Sequence, residues 1–228
     1  YSGHFFHFKN TWLEDYLVDR MDGQTIHKVN KSSKIFWDGT WVDFPFQKNI
    51  HQLPREEFID CLHTLYFRSN LEPHNFQEML YAKFGSGISE RFLIPYNEKL
   101  YATDLTKLDM NAMGRFFPYA NLDQIIDNFK TPDNSSYNDR FTYPSGGAIQ
   151  YVKALEKGVK KENISLNEKV LSVDLKKKIA KTNLGEINYK FLINSSPLHK
   201  FVDLCGLKVK EDTFSWNQVL VFNLGFDK

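Results

Sequence analysis

Aromatic and amide side chains that could hold a planar ligand are concentrated in the stretch Phe44-Pro45-Phe46-Gln47. Upstream, Asp38-Gly39 separates two aromatic, β-branched runs and predicts a two-residue hairpin, because both residues tolerate the positive φ of a type I′ turn. Pro45 lacks an N–H donor and is expected to end the second strand or to lie at an edge. Phe46 and Gln47 would then project from a strand end. An apolar face beside an amide suits a nucleobase, and it equally suits an ordinary edge of the core.

Other patterns for catalysis or metal binding are weak in this sequence. His4 and His7 have a helical spacing, but their segment has the pattern of a strand, which sends them to opposite faces. We therefore predict no metal site. Ser145-Gly146-Gly147 could donate backbone N–H groups to a phosphate at a helix start, or could form a tight strand-to-helix turn. The dinucleotide fingerprint G-x-G-x-x-G does not occur in the 228 residues. The residues alone indicate an aromatic, amide-bearing cleft and no particular catalyst.

Composition and charge exclude several classes of protein. The chain has 42% hydrophobic and 15% aromatic residues, which is typical of a folded protein that buries a core. Its 29 basic residues are scattered among 28 acidic ones, so we predict no nucleic-acid partner. No apolar run is long enough to span a membrane. Cys61 and Cys205 lie on apolar faces of predicted helices and are expected to be buried and reduced, which predicts a cytoplasmic protein.

The spacing of apolar residues predicts an α+β fold with two regions. Residues 1–135 combine the aromatic hairpin with a series of helices. Residues 136–228 are β-rich, with a predicted hairpin over 170–182 and a final strand over 218–226. We expect the division between these regions to coincide with a polar, turn-rich loop at 131–139.

Helix boundaries are indicated by residues that cap or interrupt a helix. Asn75, with Glu78 three residues on, predicts the start of one helix, and Asn121 is expected to cap another. Gly85 is expected to end the first of these helices. Pro95 is expected to stop a short helix over 88–93 and to begin an irregular segment.

Several segments, taken in order, resemble one family of flavoproteins. Ser2-Gly3-His4-Phe5-Phe6-His7 resembles the Gly-Gly-His segment of proteins related to UDP-galactopyranose mutase. Residues 44–50 resemble that family's Tyr-Pro-Phe-Gln-Asn-Asn-Ile. The match continues through Asn75-Phe76, Phe84-Gly85-x-Gly87-Ile88 and Pro95-Tyr96-Asn97-x-Lys99. The wider superfamily, which includes amine oxidases and protoporphyrinogen oxidase, is similar at Tyr143-Pro144-x-Gly146-Gly147, Val170-x-x-Val173-Asp174 and Leu192-Ile193-Asn194-Ser195-Ser196-Pro197.

The resemblance implies that this chain is the middle of a flavoprotein, lacking the Rossmann unit that precedes it in the family. Residues 1–135 would bind a small-molecule substrate, possibly a UDP-sugar, and residues 136–228 would form part of the FAD domain. Its implied cofactor residues are Gly3, His4, Val170, Ser195 and Pro197, with His4 also catalytic beside the flavin ring and Val170 meeting the adenine through its backbone. Its implied substrate residues are Phe44, Phe46, Gln47, Asn75, Tyr96 and Asn97. Because the fingerprint is missing, we predict that this chain by itself neither retains FAD nor turns over.

Three functions follow as alternatives. The first is an FAD-dependent enzyme resembling UDP-galactopyranose mutase, an isomerase that acts on a nucleotide-sugar or glycan precursor. The second is an oxidoreductase resembling amine oxidase or protoporphyrinogen oxidase, with an apolar substrate. It is favoured by Met79 and Ile94, which stand where the mutase family commonly has a Trp and a phosphate-binding Arg. The third is a binding or interaction module without flavin.

Overall fold

A computed structural model describes residues 5–134, 139–210, 213–222 and 224. Helices and small antiparallel sheets build an α+β fold, as the sequence predicts. The chain divides into two compact units, Tyr1–Ala154 with Asn217–Lys228, and Leu155–Trp216. This division falls later in the chain than residue 135. The predicted assignment of residues 1–135 to the substrate and 136–228 to the cofactor stays a prediction.

The first unit contains most of the helices. In chain order, its elements are α1 Thr11–Val18, β1 Ile26–Asn30, β2 Lys34–Trp37, β3 Thr40–Asp43, α2 Arg55–Tyr66, α3 Phe76–Ile88, α4 Ile94–Tyr101, α5 Leu122–Lys130, β4 Arg140–Pro144 and α6 Ile149–Glu156, whose last two residues belong to the second unit. Strand β1 pairs with β4, and β2 pairs with β3.

The predicted aromatic hairpin is confirmed. Trp37 pairs with Thr40, so Asp38 and Gly39 form the two-residue loop. Their φ angles are 38° and 77°, the positive values that this kind of turn requires. Strand β3 ends two residues before Pro45, and the chain continues into a 3-10 turn over Phe46–Lys48.

The region around Gly85 and Pro95 agrees with the prediction only in part. Gly85 has a φ of 71° and a ψ of 172°, so the first helical segment of α3 ends there as predicted, and a second segment continues after the kink. A Cβ at Gly85 would lie 2.3 Å from the backbone oxygen of Thr64, so only glycine allows this approach of α3 to α2. A π-helical turn over Ser89–Leu93 follows, and Pro95 lies in the first turn of α4. The expected irregular segment is therefore helical, because a proline in the first turn removes no helical hydrogen bond.

Two predicted helix caps are confirmed. The Asn75 side chain accepts a hydrogen bond from the backbone N–H of Glu78 at the start of α3. Asn121 and Gln124 form a complete capping box at the start of α5.

A hydrophobic core holds the hairpin, α2, α3 and α5 together. Its members include Val42, Phe46, Cys61, Phe76, Phe84, Ile88 and Ile125, each with no exposed surface. Both cysteines are free. Cys61 is buried, and burial raises the pKa of its thiol to about 11. Cys205 is only half-buried, in contrast to the prediction.

The second unit is built on a three-stranded antiparallel sheet. Its elements are β5 Val170–Asp174, β6 Ile179–Thr182, β7 Glu186–Asn188 and α7 Leu198–Leu204. The hairpin predicted over 170–182 is confirmed. The final strand predicted over 218–226 is not found, because residues 218–222 form no strand, while 223 and 225–226 lie outside the described residues.

Candidate functional site

A cleft of about 330 Å³ lies beside the hairpin in the first unit. It is lined by residues of the β1–β2 connection, of the turn after β3, of the π-helical turn with α4, and of residues 113–118. Four of the six predicted substrate residues line it together, namely Phe44, Gln47, Tyr96 and Asn97. The structure thus assembles a cleft from segments that are far apart in the sequence.

Three stacked aromatic rings run from the core to the cleft. Phe46 stacks on Phe92 with ring centroids 4.7 Å apart and an interplanar angle of 13°. Phe92 stacks on Tyr96 at 5.1 Å and 18°. Phe46 is completely buried, whereas Tyr96 is 45% exposed. Phe46 and Phe92 therefore support the wall from behind, and Tyr96, the exposed end of the stack, is the ring whose face a planar ligand would meet.

Gln47 is positioned by a hydrogen bond across the cleft. Its side chain is only 1% exposed, and its Nε2 donates to the backbone oxygen of Pro118. This bond connects the turn after β3 to residues 113–118, on which Met113, Phe116 and Phe117 line the same cleft. Gln47 therefore holds two walls of the cleft together.

Asn97 leaves a buried hydrogen-bond acceptor at the cleft. Its Nδ2 donates to the backbone oxygen of Leu93 at 2.6 Å. The side chain is 1% exposed, and its Oδ1 has no hydrogen-bond partner within the described part of the chain. A buried, unsatisfied acceptor costs about 1–3 kcal/mol. Because this oxygen is itself buried, a ligand in the cleft that donates a hydrogen bond would remove this cost only after the Asn97 side chain turns toward it.

A buried polar network fixes the turn that carries Gln47. Asn128 donates through Nδ2 to the backbone oxygen of Lys48 at 2.8 Å and to Oδ1 of Asn49 at 3.1 Å. The Oδ1 of Asn128 accepts from the backbone N–H of Asp133. Asn49 donates to the backbone oxygen of Pro45 at 3.1 Å. These bonds satisfy the buried groups behind the cleft and keep its wall rigid.

Positive charge lies at one side of the cleft. Lys31 and Lys34 are the only Lys, Arg, Asp or Glu residues among the described residues that line it. The Lys31 ammonium is 5.8 Å from the centre of the Phe44 ring, and that of Lys34 pairs with Asp43 at 3.0 Å. A hydrogen bond from Gln52, together with that from Lys34, lowers the pKa of the Asp43 carboxyl.

Two predicted substrate residues do not line the cleft. Phe46 lies behind it, as described above. The Asn75 side chain is engaged with Glu78, since its Oδ1 accepts from the backbone N–H at 2.9 Å and its Nδ2 donates to Oε1 at 2.8 Å. The substrate role of Asn75 stays a prediction, and its observed contacts are those of a helix cap.

The predicted cofactor residues lie only partly within the described residues. Val170 and Ser195 line an apolar pocket of about 380 Å³ in the second unit, and Pro197 immediately precedes α7 beside it. The pocket walls include Val173, Ala180 and Leu192, which would suit the flat face of an adenine ring. Gly3 and His4 lie outside the described residues. The described residues therefore fit the adenine end of FAD.

The described residues were also searched for a metal site and for a helix that could span a membrane. No group of three or more His, Cys, Asp or Glu residues there could hold a metal ion. Among the helices of that same part, none is both long enough and apolar enough to cross a bilayer.

Sequence reasoning identified only four of the fourteen described residues that line the cleft. It did not identify the residues contributed by the β1–β2 connection or by 113–118, because nothing local indicates that they meet the hairpin. The i, i+4 spacing of Phe92 and Tyr96 was an available signal, since a continuous helical path stacks such rings on one face. The spacing was not used because Pro95 was expected to end the helix between Phe92 and Tyr96.

Comparison with known proteins supports this description at the level of the fold. A crystal structure of reduced UDP-galactopyranose mutase matches with a TM-score of 0.77 and 25% sequence identity. The fold is similar to that of UDP-galactopyranose mutase. The match covers 90% of this chain and 46% of the mutase chain, so this chain spans about half the length of the protein it resembles. No family model matches the sequence.

Proposed function

We propose that the cleft binds the nucleoside part of a UDP-sugar, and that the chain belongs to an FAD-dependent enzyme of the UDP-galactopyranose mutase kind. The observation that carries this proposal is the unpartnered Asn97 Oδ1 beside the Phe92–Tyr96 stack. A uracil ring is planar and carries an N–H between two carbonyl groups. Its face would stack on the exposed ring of Tyr96 while its N–H donates to Asn97.

The cleft also has the size and composition of a small-molecule site. A volume of about 330 Å³ falls within the range of ligand pockets, and its walls combine aromatic residues with a few amides. The similarity to the fold of a mutase that acts on a UDP-sugar agrees with this assignment.

The proposed cofactor is FAD, which the second unit would hold by its adenine end through Val170 and Ser195. Gly3 and His4 would lie near the flavin ring, as the resemblance implies. When bound in its reduced form, the flavin would supply the electron-rich centre that reacts with the anomeric carbon of the sugar. The residues of the first unit bind and orient the nucleotide during that reaction.

The positions of Met79 and Ile94 do not support the alternative oxidoreductase function. Ile94 packs against the hydrophobic core and Met79 is 3% exposed. Neither residue lines the cleft, so neither makes its walls more apolar.

Calorimetric titration of the chain with uridine tests the proposed function. We expect saturable binding, and we expect Tyr96→Ala to weaken it at least about fivefold, because stacking of a base on an aromatic ring is worth about 1–3 kcal/mol. Tyr66→Ala is the matched control, since Tyr66 is 66% exposed and does not line the cleft. Absence of uridine binding at millimolar concentration, or equal effects of the two variants, would contradict the proposal.

A further inference from the structure

The described charges of the cleft are confined to one of its walls. Lys31 follows the last residue of β1 and Lys34 is the first residue of β2. The rings of Phe92 and Tyr96 and the amide of Asn97 come from the π-helical turn and α4. The cleft therefore has an aromatic, amide-bearing wall and a cationic wall. This arrangement matches a ligand with a flat ring at one end and an anionic group at the other.

The connection that carries both lysines is held by backbone hydrogen bonds on each side. The N–H of Lys31 donates to the oxygen of Asp139 at 2.6 Å, and the N–H of Phe44 donates to the oxygen of Ser33 at 3.1 Å. The Lys31 ammonium lies against the Phe44 ring, which is itself part of the cleft. The backbone that carries both lysines is therefore fixed, whereas the exposed Lys31 side chain must itself be ordered when an anion binds, at an entropic cost.

Position 94 cannot supply a cation to the cleft in this chain. The mutase family commonly has a phosphate-binding Arg there, whereas Ile94 packs on the core. We propose that Lys31, assisted by Lys34, forms the subsite for the phosphate groups of a nucleoside diphosphate. This inference rests on the proposed function of the cleft and names the residues that would bind the charged part of the same ligand.

The two lysines are expected to contribute unequally. Lys34 is paired with Asp43, which partly compensates its charge. No ion pair involving the Lys31 side chain is found within the described residues, so its ammonium is available to a phosphate oxygen. An ionised partner makes such a hydrogen bond strong, which makes Lys31 the main contributor.

The experiment compares UDP with uridine on the full chain and its variants. We expect UDP to bind at least about tenfold more tightly than uridine, and Lys31→Gln to remove most of that difference by lowering the affinity for UDP much more than the affinity for uridine. Lys34→Gln should have a smaller effect in the same direction. Asp43→Asn, which releases Lys34, should tighten UDP binding several-fold. Lys99→Gln is the matched control, because Lys99 is an exposed residue of α4 that does not line the cleft.

The possible outcomes separate this inference from the function on which it rests. Equal affinities for UDP and uridine would overturn the phosphate subsite and leave the nucleoside site in place. A preference for UDP that survives in Lys31→Gln and Lys34→Gln would assign the phosphate to other residues and overturn the inference. Failure of both ligands to bind would overturn the proposed function itself. Circular dichroism of each variant checks that the fold is unchanged.

Discussion

At the scale of single residues, Asn97 has a buried oxygen that lowers the stability of the fold and that could accept a hydrogen bond from a ligand. Its Nδ2 bond to Leu93 contributes about 0.5–1.5 kcal/mol, while its unpartnered Oδ1 costs about 1–3 kcal/mol. The contrast with Asn128 is direct, because both amide atoms of Asn128 have partners. A polar group that is buried and left unsatisfied is the pattern expected where function opposes stability.

We expect Asn97→Leu to raise the free energy of unfolding by about 1 kcal/mol and to weaken uridine binding about tenfold. Leucine has nearly the shape of asparagine and removes the unsatisfied acceptor. Chemical denaturation and calorimetry measure the two effects separately. In the control Asn128→Leu the satisfied network is lost, so this variant should be destabilised by about 2 kcal/mol or more. Loss of stability in Asn97→Leu comparable to that control would show that the Asn97 oxygen has a partner.

At the scale of elements, local signals in the sequence were reliable where a few adjacent residues determine the backbone. The Asp38-Gly39 turn and the caps at Asn75 and Asn121 were predicted because each depends on contacts within four residues. The prediction at Pro95 was wrong, because its place in α4 depends on the π-helical turn that precedes it. The close approach of α3 to α2 at Gly85 was not predicted, because it depends on tertiary contacts that a local pattern does not contain.

We expect Asn75→Ala to lower the free energy of unfolding by about 1 kcal/mol, because the start of α3 loses its cap. Asn75→Ser keeps a capping oxygen and should lose much less. Thermal denaturation of both variants measures the effect, and uridine titration of the serine variant tests the predicted substrate role. A weaker uridine affinity at unchanged stability would support that role, and unchanged affinity would leave Asn75 as a cap.

At the scale of the whole molecule, buried residues are distributed unevenly between the two units. In the second unit only Val173, Ala180, Thr182 and Val202 are buried among the described residues. The first unit contains both of the hydrophobic clusters found in the described part of the chain. Local stability follows buried apolar contact, so the second unit should open more readily than the first. The sequence indicated two regions but not this difference, since burial depends on which faces meet.

Hydrogen exchange measured by mass spectrometry should show this difference. We expect peptides covering β5 and β6 to exchange at least about tenfold faster than peptides covering α3, after correction for intrinsic exchange rates. The unfolded chain in denaturant provides the correction for each peptide. Equal protection of these elements would show that the two units unfold as one cooperative body.

The bond between Gln47 and Pro118 also has a consequence for how the cleft arises during folding. It joins two residues that are 71 positions apart in the sequence, and α2, α3 and α4 lie in the segment between them. Closure of such a loop is an entropic cost that local helix formation does not share. We therefore expect the cleft to form late in folding, and to be intact only in chains whose first unit has folded completely. A ligand of this cleft would therefore bind only completely folded chains, because partly folded chains contain helices but not the assembled site.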